Sequence, residues 1–224
     1  MSLPRIPKAV IFDMDGLLVD TESVYREAMT ATAIAGGLDF PNELFLRLIG
    51  LSWPANAAIL QTHFGAGFDP EAFKVASVTR FRELVAAEVA LKAGVIEILD
   101  LLDEMALPRA IATSSGHESV NHHIGGHGLL ERFHAILAAG DYANAKPAPD
   151  PYLRAAEVLG VEPADCLALE DSHNGVRAAA SAGMMTIMVP DLLEATDEMH
   201  ALCVRIAGDL HEVRTLMTAM RTLA

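Results

Sequence analysis

Asp13 and Asp15 stand one residue apart at the end of the apolar run Ala9–Phe12, and Gly16 follows at once. The run reads as a buried strand. In an open α/β sheet, ligands bind outside the carboxyl ends of the strands. Two acids delivered there suit a metal-assisted site in which one carboxylate is free to act as nucleophile. The segment Leu167-Ala-Leu-Glu-Asp-Ser-His-Asn-Gly175 repeats this logic: an apolar run ends in the adjacent acids Glu170 and Asp171, and a turn leads into a helix. Acids at a helix start are common caps. Two strand ends that each supply acids, however, make a hard-cation site. Mg2+ takes oxygen ligands in octahedral geometry and keeps several waters.

Two further segments could handle an anion. Thr113-Ser-Ser-Gly116 follows the apolar run Arg109–Ala112. A hydroxyl at a strand end, followed by small residues, can donate to a phosphate together with the free N–H groups of the turn. The same residues also make an ordinary loop or helix cap. In Asn144-Ala-Lys-Pro-Ala-Pro-Asp150-Pro, Pro147 restricts Lys146 toward an extended backbone. A lysine fixed there could neutralise a phosphoryl oxygen and a nearby carboxylate; a solvated loop lysine is the alternative.

The elements that must position these groups follow from periodicity. Short apolar runs recur at Ala9–Phe12, Arg109–Ala112, Ala135–Ala138, Cys166–Leu169 and Thr186–Val189. Helical spacing lies between several of them: Ile96, Leu99, Leu102 and Met105 on one face, then Leu153, Ala156 and Leu159 before Gly160, then Ala178–Ala182 before Gly183. Alternation of short strands and helices predicts an α/β fold with a doubly wound, Rossmann-like parallel sheet. From Ser23 to Ala90 the alternation stops. Helical stretches are marked by Phe45, Leu48 and Ile49, by Ala58, Ile59 and Thr62, and by Phe73 to Val89. This predicts an inserted α-helical domain over 21–90, with hinges near Val19–Glu22 and Leu91–Gly94, and a core from 1–20 and 91–224. Extra helices packed on the sheet without a separate domain are the other arrangement the residues allow.

At 224 residues the chain suits one large domain or a core with a smaller insertion. Its 30 acidic and 16 basic residues give a formal charge of -14, which argues against nucleic acid or an anionic membrane surface as the main partner. Any anion site must therefore be built locally. Cys166 and Cys203 suggest no disulfide framework, which fits a cytoplasmic location. No uninterrupted apolar stretch is long enough to span a bilayer, and the N-terminus lacks the pattern of a signal peptide.

Taken in order, Asp13-x-Asp15-Gly-x-x-x-Asp20-Thr, Thr113, Lys146 and Glu170-Asp171 resemble the four motifs of the haloacid dehalogenase superfamily of phosphotransferases. The flanks Lys146-Pro-x-Pro-Asp-Pro-Tyr and Glu170-Asp-Ser-x-Asn-Gly-Val-x-Ala-Ala-x-x-Ala-Gly are similar to the subgroup that holds β-phosphoglucomutases and small-molecule phosphatases, in which a helical cap follows the first motif. The resemblance implies that Asp13 attacks phosphorus and forms an aspartyl-phosphate, and that Asp15 serves as acid and then as base. It implies that Thr113 and Lys146 hold the phosphoryl oxygens, with Gly16 and Ser114 among the phosphate-binding residues. Mg2+ would be held by the Asp13 carboxylate, the Asp15 carbonyl and Asp171, with Glu170 supporting directly or through water.

The chain departs from that subgroup in the cap. Tyr25 stands where the mutases carry a histidine, and Gly50-Leu-Ser-Trp53 stands for a Gly-x-Ser-Arg pattern that grips a distal phosphate. Trp53 can stack on a sugar ring or pack in the cap, but it cannot make a bidentate phosphate contact. Lys74, at an expected helix start, and Lys92, at the return to the core, lie in no recognisable Schiff-base context. His122, His123 and His127, with His117 and His134 nearby, lack the framework of a zinc site. The reading is a Mg2+-dependent phosphatase for a small phosphate monoester, such as a sugar phosphate, acting as a monomer or weak homo-oligomer. Trp53 and Tyr25 are expected in its substrate pocket. A β-phosphoglucomutase-like mutase and a non-catalytic phosphometabolite-binding protein are the alternatives.

Overall fold

Short apolar runs buried on both faces form strands when helices cover both sides of a parallel sheet. The computed structural model describes residues 3–49, 53–86 and 89–221. In chain order the elements are β1 (Ala9–Phe12), α1 (Thr21–Ala35), α2 (Asn42–Leu46), α3 (Trp53–Phe64), α4 (Pro70–Val85), α5 (Val95–Glu104), β2 (Arg109–Ala112), α6 (His117–Gly126), β3 (Ala135–Leu137), α7 (Asp150–Leu159), β4 (Cys166–Glu170), α8 (His173–Ser181), β5 (Met185–Met188), α9 (Asp197–Leu202), β6 (Arg205–Ile206) and α10 (Leu210–Arg221). The strands form one sheet in the order β3-β2-β1-β4-β5-β6, and the paired strands are parallel. The doubly wound α/β fold is therefore as expected. β6 is the addition: two residues long, with an arginine in it, it offers no periodicity to read.

The order puts the topological switch between β1 and β4. The chain winds outward through β2 and β3, then returns past β1 to begin β4. Such a switch opens a crevice at the carboxyl edge. Phe12 is in register with Ile111 of β2 and Leu169 of β4, so Asp13, Ala112 and Glu170 reach that edge together.

One face of the sheet packs on α7 and α8. Ala9, Ile11, Ala110, Ala112, Cys166 and Ala168 meet Tyr152, Ala155, Ala156, Ala178 and Ala179 in one buried cluster. Small side chains let these helices approach closely. On the alternate face Phe12 meets Phe133 edge-on at 6.0 Å.

Two helix faces differ from expectation. In α5 the buried residues are Val95, Ile98, Leu99, Leu101 and Leu102, while Ile96 is exposed. In α7 they are Pro151, Tyr152, Ala155 and Ala156, while Leu153 is exposed. A row of steps of three residues walks back about 60° per step around a helix of 3.6 residues per turn, so its end leaves the core. Steps of three and four hold the face.

The chain divides into two units, Met1–Val19 with Ala90–Ala224, and Asp20–Val89. The second is helical. Its core is aromatic: Phe40 stacks on Phe64 and Phe73, Phe68 packs on both, and Tyr25 meets Phe45 and Phe81. α4 starts at Pro70, with the Asp69 carboxylate accepting from the N–H groups of Glu71 and Ala72 at 3.0 Å each. Lys74 thus lies in the second turn rather than at the helix start, and α4 closes at Val85 rather than reaching Val89. α2 is shorter than expected, and Leu48 and Ile49 fall in the turn after it. In the sheet unit the two linkers meet: Val19 bridges to Leu91, and Lys92 N–H donates to Leu18 O at 3.0 Å.

Candidate active site

The residues at the carboxyl edge assemble from three strands and two loops. Asp13 follows β1, donates its N–H to Leu169 O at 3.0 Å, and is 7% exposed. The loop after β3 brings Lys146, joined to Pro147 by a cis peptide bond, into the same place. Its ammonium donates to Asp13 Oδ1 and to Glu170 Oε1, each at 2.5 Å. Burial alone would lower the Lys146 pKa; the Asp13 and Glu170 carboxylates reverse this and hold it well above the ordinary value.

Glu170 is wholly buried and fully engaged. Tyr152, inside the apolar cluster, donates its hydroxyl to Oε1 at 2.6 Å. Oε2 accepts from the N–H groups of Asp171 and Ser172 at 3.2 Å and from the Ser172 hydroxyl at 3.1 Å. The carboxyl lies against Gly175 in the first turn of α8, where any Cβ would overlap it. Burial, then Glu170, pushes the Tyr152 phenol well above its ordinary pKa, so it stays a donor.

Asp15 is held from the β2 side. Ser115 donates its hydroxyl to Asp15 Oδ2 at 2.7 Å, and Thr113 Oγ1 lies 3.4 Å from the same oxygen. Thr113 Oγ1 also accepts from Ser115 N–H at 3.0 Å. The Thr113 backbone is fixed by donation to Leu137 O at 2.9 Å and by the Tyr142 hydroxyl, which donates to its carbonyl at 2.7 Å. Ser114 is exposed. Gly16 adopts φ +82°, in the left-handed region, and a Cβ there would strike the Asp171 carboxylate.

Asp13, Glu170 and Asp171 offer oxygens that all lie within 4.8 Å of one another. An all-oxygen set of this kind fits a hard divalent cation. Its electrostatics ask for one. Burial, opposed by Lys146 and reinforced by Glu170 and Asp15, pushes Asp13 up to about 8. One lysine shared between two buried carboxylates does not balance them, and a cation beside them would. The Gly16 close approach keeps a side chain out of the space beside Asp171.

The model of the haloacid dehalogenase-like hydrolases matches residues 7–183. The chain belongs to that family. Protein CbbY of Cupriavidus necator is 34% identical to this hydrolase over 208 residues, 85% of this chain and 81% of that one. The fructose-1-phosphate phosphatase YqaB of Escherichia coli is 32% identical over 183 residues, 80% of this chain and 95% of that one. A haloacid dehalogenase family hydrolase of Deinococcus radiodurans, solved with bound phosphate and sodium, superposes with a TM-score of 0.82 at 26% identity, covering 95% of each chain.

The remaining expected residues lie in the helical unit of the hydrolase. Tyr25 and Trp53 both line a cavity of about 260 Å³, with Phe45, Leu48 and Lys74. The Trp53 indole N–H donates to Glu71 Oε1 at 2.5 Å, and the Lys74 ammonium sits 5.0 Å from its ring centroid. Gly50, Leu51 and Ser52 of the Gly-x-Ser pattern lie outside the described residues. These histidines are occupied elsewhere: His117 pairs with Asp141 at 2.9 Å, His134 Nδ1 accepts from Arg109 N–H at 3.3 Å, and His122 and His123 meet edge to face. Among the described residues, no helix is long and apolar enough to cross a membrane. Ser115 and Tyr152 were not expected at the site. Both stand inside quoted stretches, Thr113-Ser-Ser and Pro-Asp-Pro-Tyr, but nothing in their types marks them.

Proposed function

We propose that this hydrolase is a Mg2+-dependent phosphatase that cleaves a small phosphate monoester, such as a sugar phosphate, through an aspartyl-phosphate on Asp13. Named phosphatases stand among its relatives, the fructose-1-phosphate phosphatase YqaB of Escherichia coli being one, and they support phosphoric monoester hydrolysis. The observation that carries the reading is the Lys146 ammonium, bound at once to Asp13 and Glu170 at the switch point of the sheet. A carboxylate does not readily approach an anionic phosphoryl group, so positive charge must stand at the point of attack.

The Asp13 carboxylate, the Asp15 carbonyl and Asp171 would hold Mg2+, with Glu170 supporting directly or through water; the ion when bound neutralises phosphoryl oxygens and the attacking carboxylate. Asp13 attacks phosphorus, a phosphorus–oxygen bond forms to its carboxylate, and the ester phosphorus–oxygen bond breaks. The leaving alkoxide takes a proton from Asp15, held toward the β2 loop by Ser115. Water then attacks the phosphorus of the aspartyl-phosphate and gives its proton to Asp15. The bond to Asp13 breaks, and inorganic phosphate leaves with Asp13 restored. Lys146 and the Thr113 hydroxyl hold phosphoryl oxygens through both steps. Trp53 and Tyr25 would line the space for the alcohol part of the ester. Trp53, tied to Glu71 and Lys74, offers no guanidinium for a second phosphate, which supports hydrolysis over a bisphosphate mutase.

The test is phosphate release from p-nitrophenyl phosphate and a panel of sugar phosphates, with Mg2+ and with a chelator. Release that needs Mg2+, needs no bisphosphate activator and disappears in Asp13→Asn by a factor of about 10⁴ is expected. Wild-type-like release by Asp13→Asn would overturn the nucleophile.

A further inference from the structure

Asp191 lies three residues past the end of β5 and enters none of the steps above. Its side chain is 9% exposed. Lys92 donates to Oδ1 at 2.6 Å. The other oxygen, Oδ2, is buried and has no hydrogen-bond partner among the described residues. It stands 3.4 Å from the point where a Gly16 Cβ would begin, and the Asp171 carboxylate crowds the same point. Two carboxylates from two different loops therefore converge on the bare face of Gly16.

A buried carboxylate oxygen without a donor is unfavourable by a few kcal/mol, so a donor belongs in that space. Asp191 lies outside the trio whose oxygens come within 4.8 Å of one another, too far to complete that trio as a direct ligand. Mg2+ keeps several waters when protein carboxylates hold it, and such waters are strong donors. We propose that Asp191 is a positioning residue for the divalent cation, accepting through Oδ2 from a water that the cation carries. Lys92 holds only the opposite oxygen, Oδ1, and leaves Oδ2 to the water. Lys92 N–H is itself fixed to Leu18 O at 3.0 Å, next to the Val19–Leu91 bridge. The inference rests on the metal reading of the site.

Calorimetric titration of Mg2+ into the metal-free full chain tests it. Outer-shell partners of a metal site change affinity by about 10–100-fold. Asp191→Asn is expected to weaken Mg2+ binding at least about tenfold. Lys92→Met removes the same ion pair but keeps the carboxylate, and its Mg2+ affinity is expected within about threefold of wild type. If Asp191→Asn folds poorly, the double variant with Lys92→Met, which leaves no buried charge unpaired, is expected to show the same tenfold loss. Unchanged Mg2+ affinity in Asp191→Asn, with an equal loss of metal-free Tm in both single variants, would reduce the pair to a structural tie and overturn the proposal. Equal weakening of Mg2+ binding in both single variants would overturn it too. Wild-type protein that takes up no Mg2+ would contradict the metal reading itself, a failure distinct from the other two.

Discussion

Asp13 must be ionised to attack phosphorus, yet it is buried and shares its lysine with Glu170. Burial, with Glu170 and Asp15 adding repulsion, pushes it up to about 8, against about 4 in an unfolded chain. The folded protein therefore binds this proton more tightly than the unfolded chain does. The contribution favours folding fully below about pH 4 and is lost as pH rises through about 8. Asp13→Asn keeps an acceptor for Lys146 and never ionises. Without metal, the variant is expected to lose less stability than wild type between pH 5 and 9, and to melt about 4 °C higher at pH 8. Scanning calorimetry at three pH values checks this; a wild-type advantage that grows with pH would contradict it. At this scale the sequence was legible where residue type implied chemistry. Asp13, Asp15, Thr113, Lys146, Glu170 and Asp171 could be picked out, and the fold brings them to one edge. Ser115, Tyr152 and Asp191 could not, because a serine, a core tyrosine and a loop aspartate acquire meaning only from the oxygen they face.

At the scale of elements, the start of α8 is built around Glu170. The Ser172 hydroxyl caps the helix, accepting from Gly175 N–H at 3.1 Å, and also donates to Glu170. Gly175 leaves the space that the buried carboxyl fills. Gly175→Ala is expected to destabilise the protein by about 3 kcal/mol, at the upper end for overpacking, and to displace Glu170 from Lys146 with loss of activity. Chemical denaturation and phosphate release check both effects; a stable, active Gly175→Ala would show that α8 can shift to make room. Strands were legible because both-sided burial demands unbroken apolar runs. Helix faces were legible only in part: counting in threes found Leu99, Leu102 and Ala156 in the core, but it also took in Ile96 and Leu153, which are exposed, and passed over Ile98 and Tyr152, which are buried. The two-residue β6 pairs only at the sheet edge and left no pattern.

At the scale of the whole molecule, a formal charge of -14 leaves an anionic substrate to be bound by local charge alone. A cation is thus expected to stabilise the fold as well as to serve chemistry. At 100 times its dissociation constant a ligand adds about 2.7 kcal/mol, so saturating Mg2+ should raise Tm by about 5–10 °C, and chelation should reverse the rise. A thermal scan with and without Mg2+ checks this, and an unchanged Tm would count against the site. The central claim is that phosphorus passes through Asp13. Acid-quenched enzyme from steady-state turnover of p-nitrophenyl phosphate, reduced with borohydride and digested, gives the most direct measurement, because an acyl phosphate is reduced to an alcohol. The account predicts homoserine at position 13 in wild type and none in Asp13→Asn. Turnover that leaves position 13 unmodified, or that modifies another acid, would contradict it.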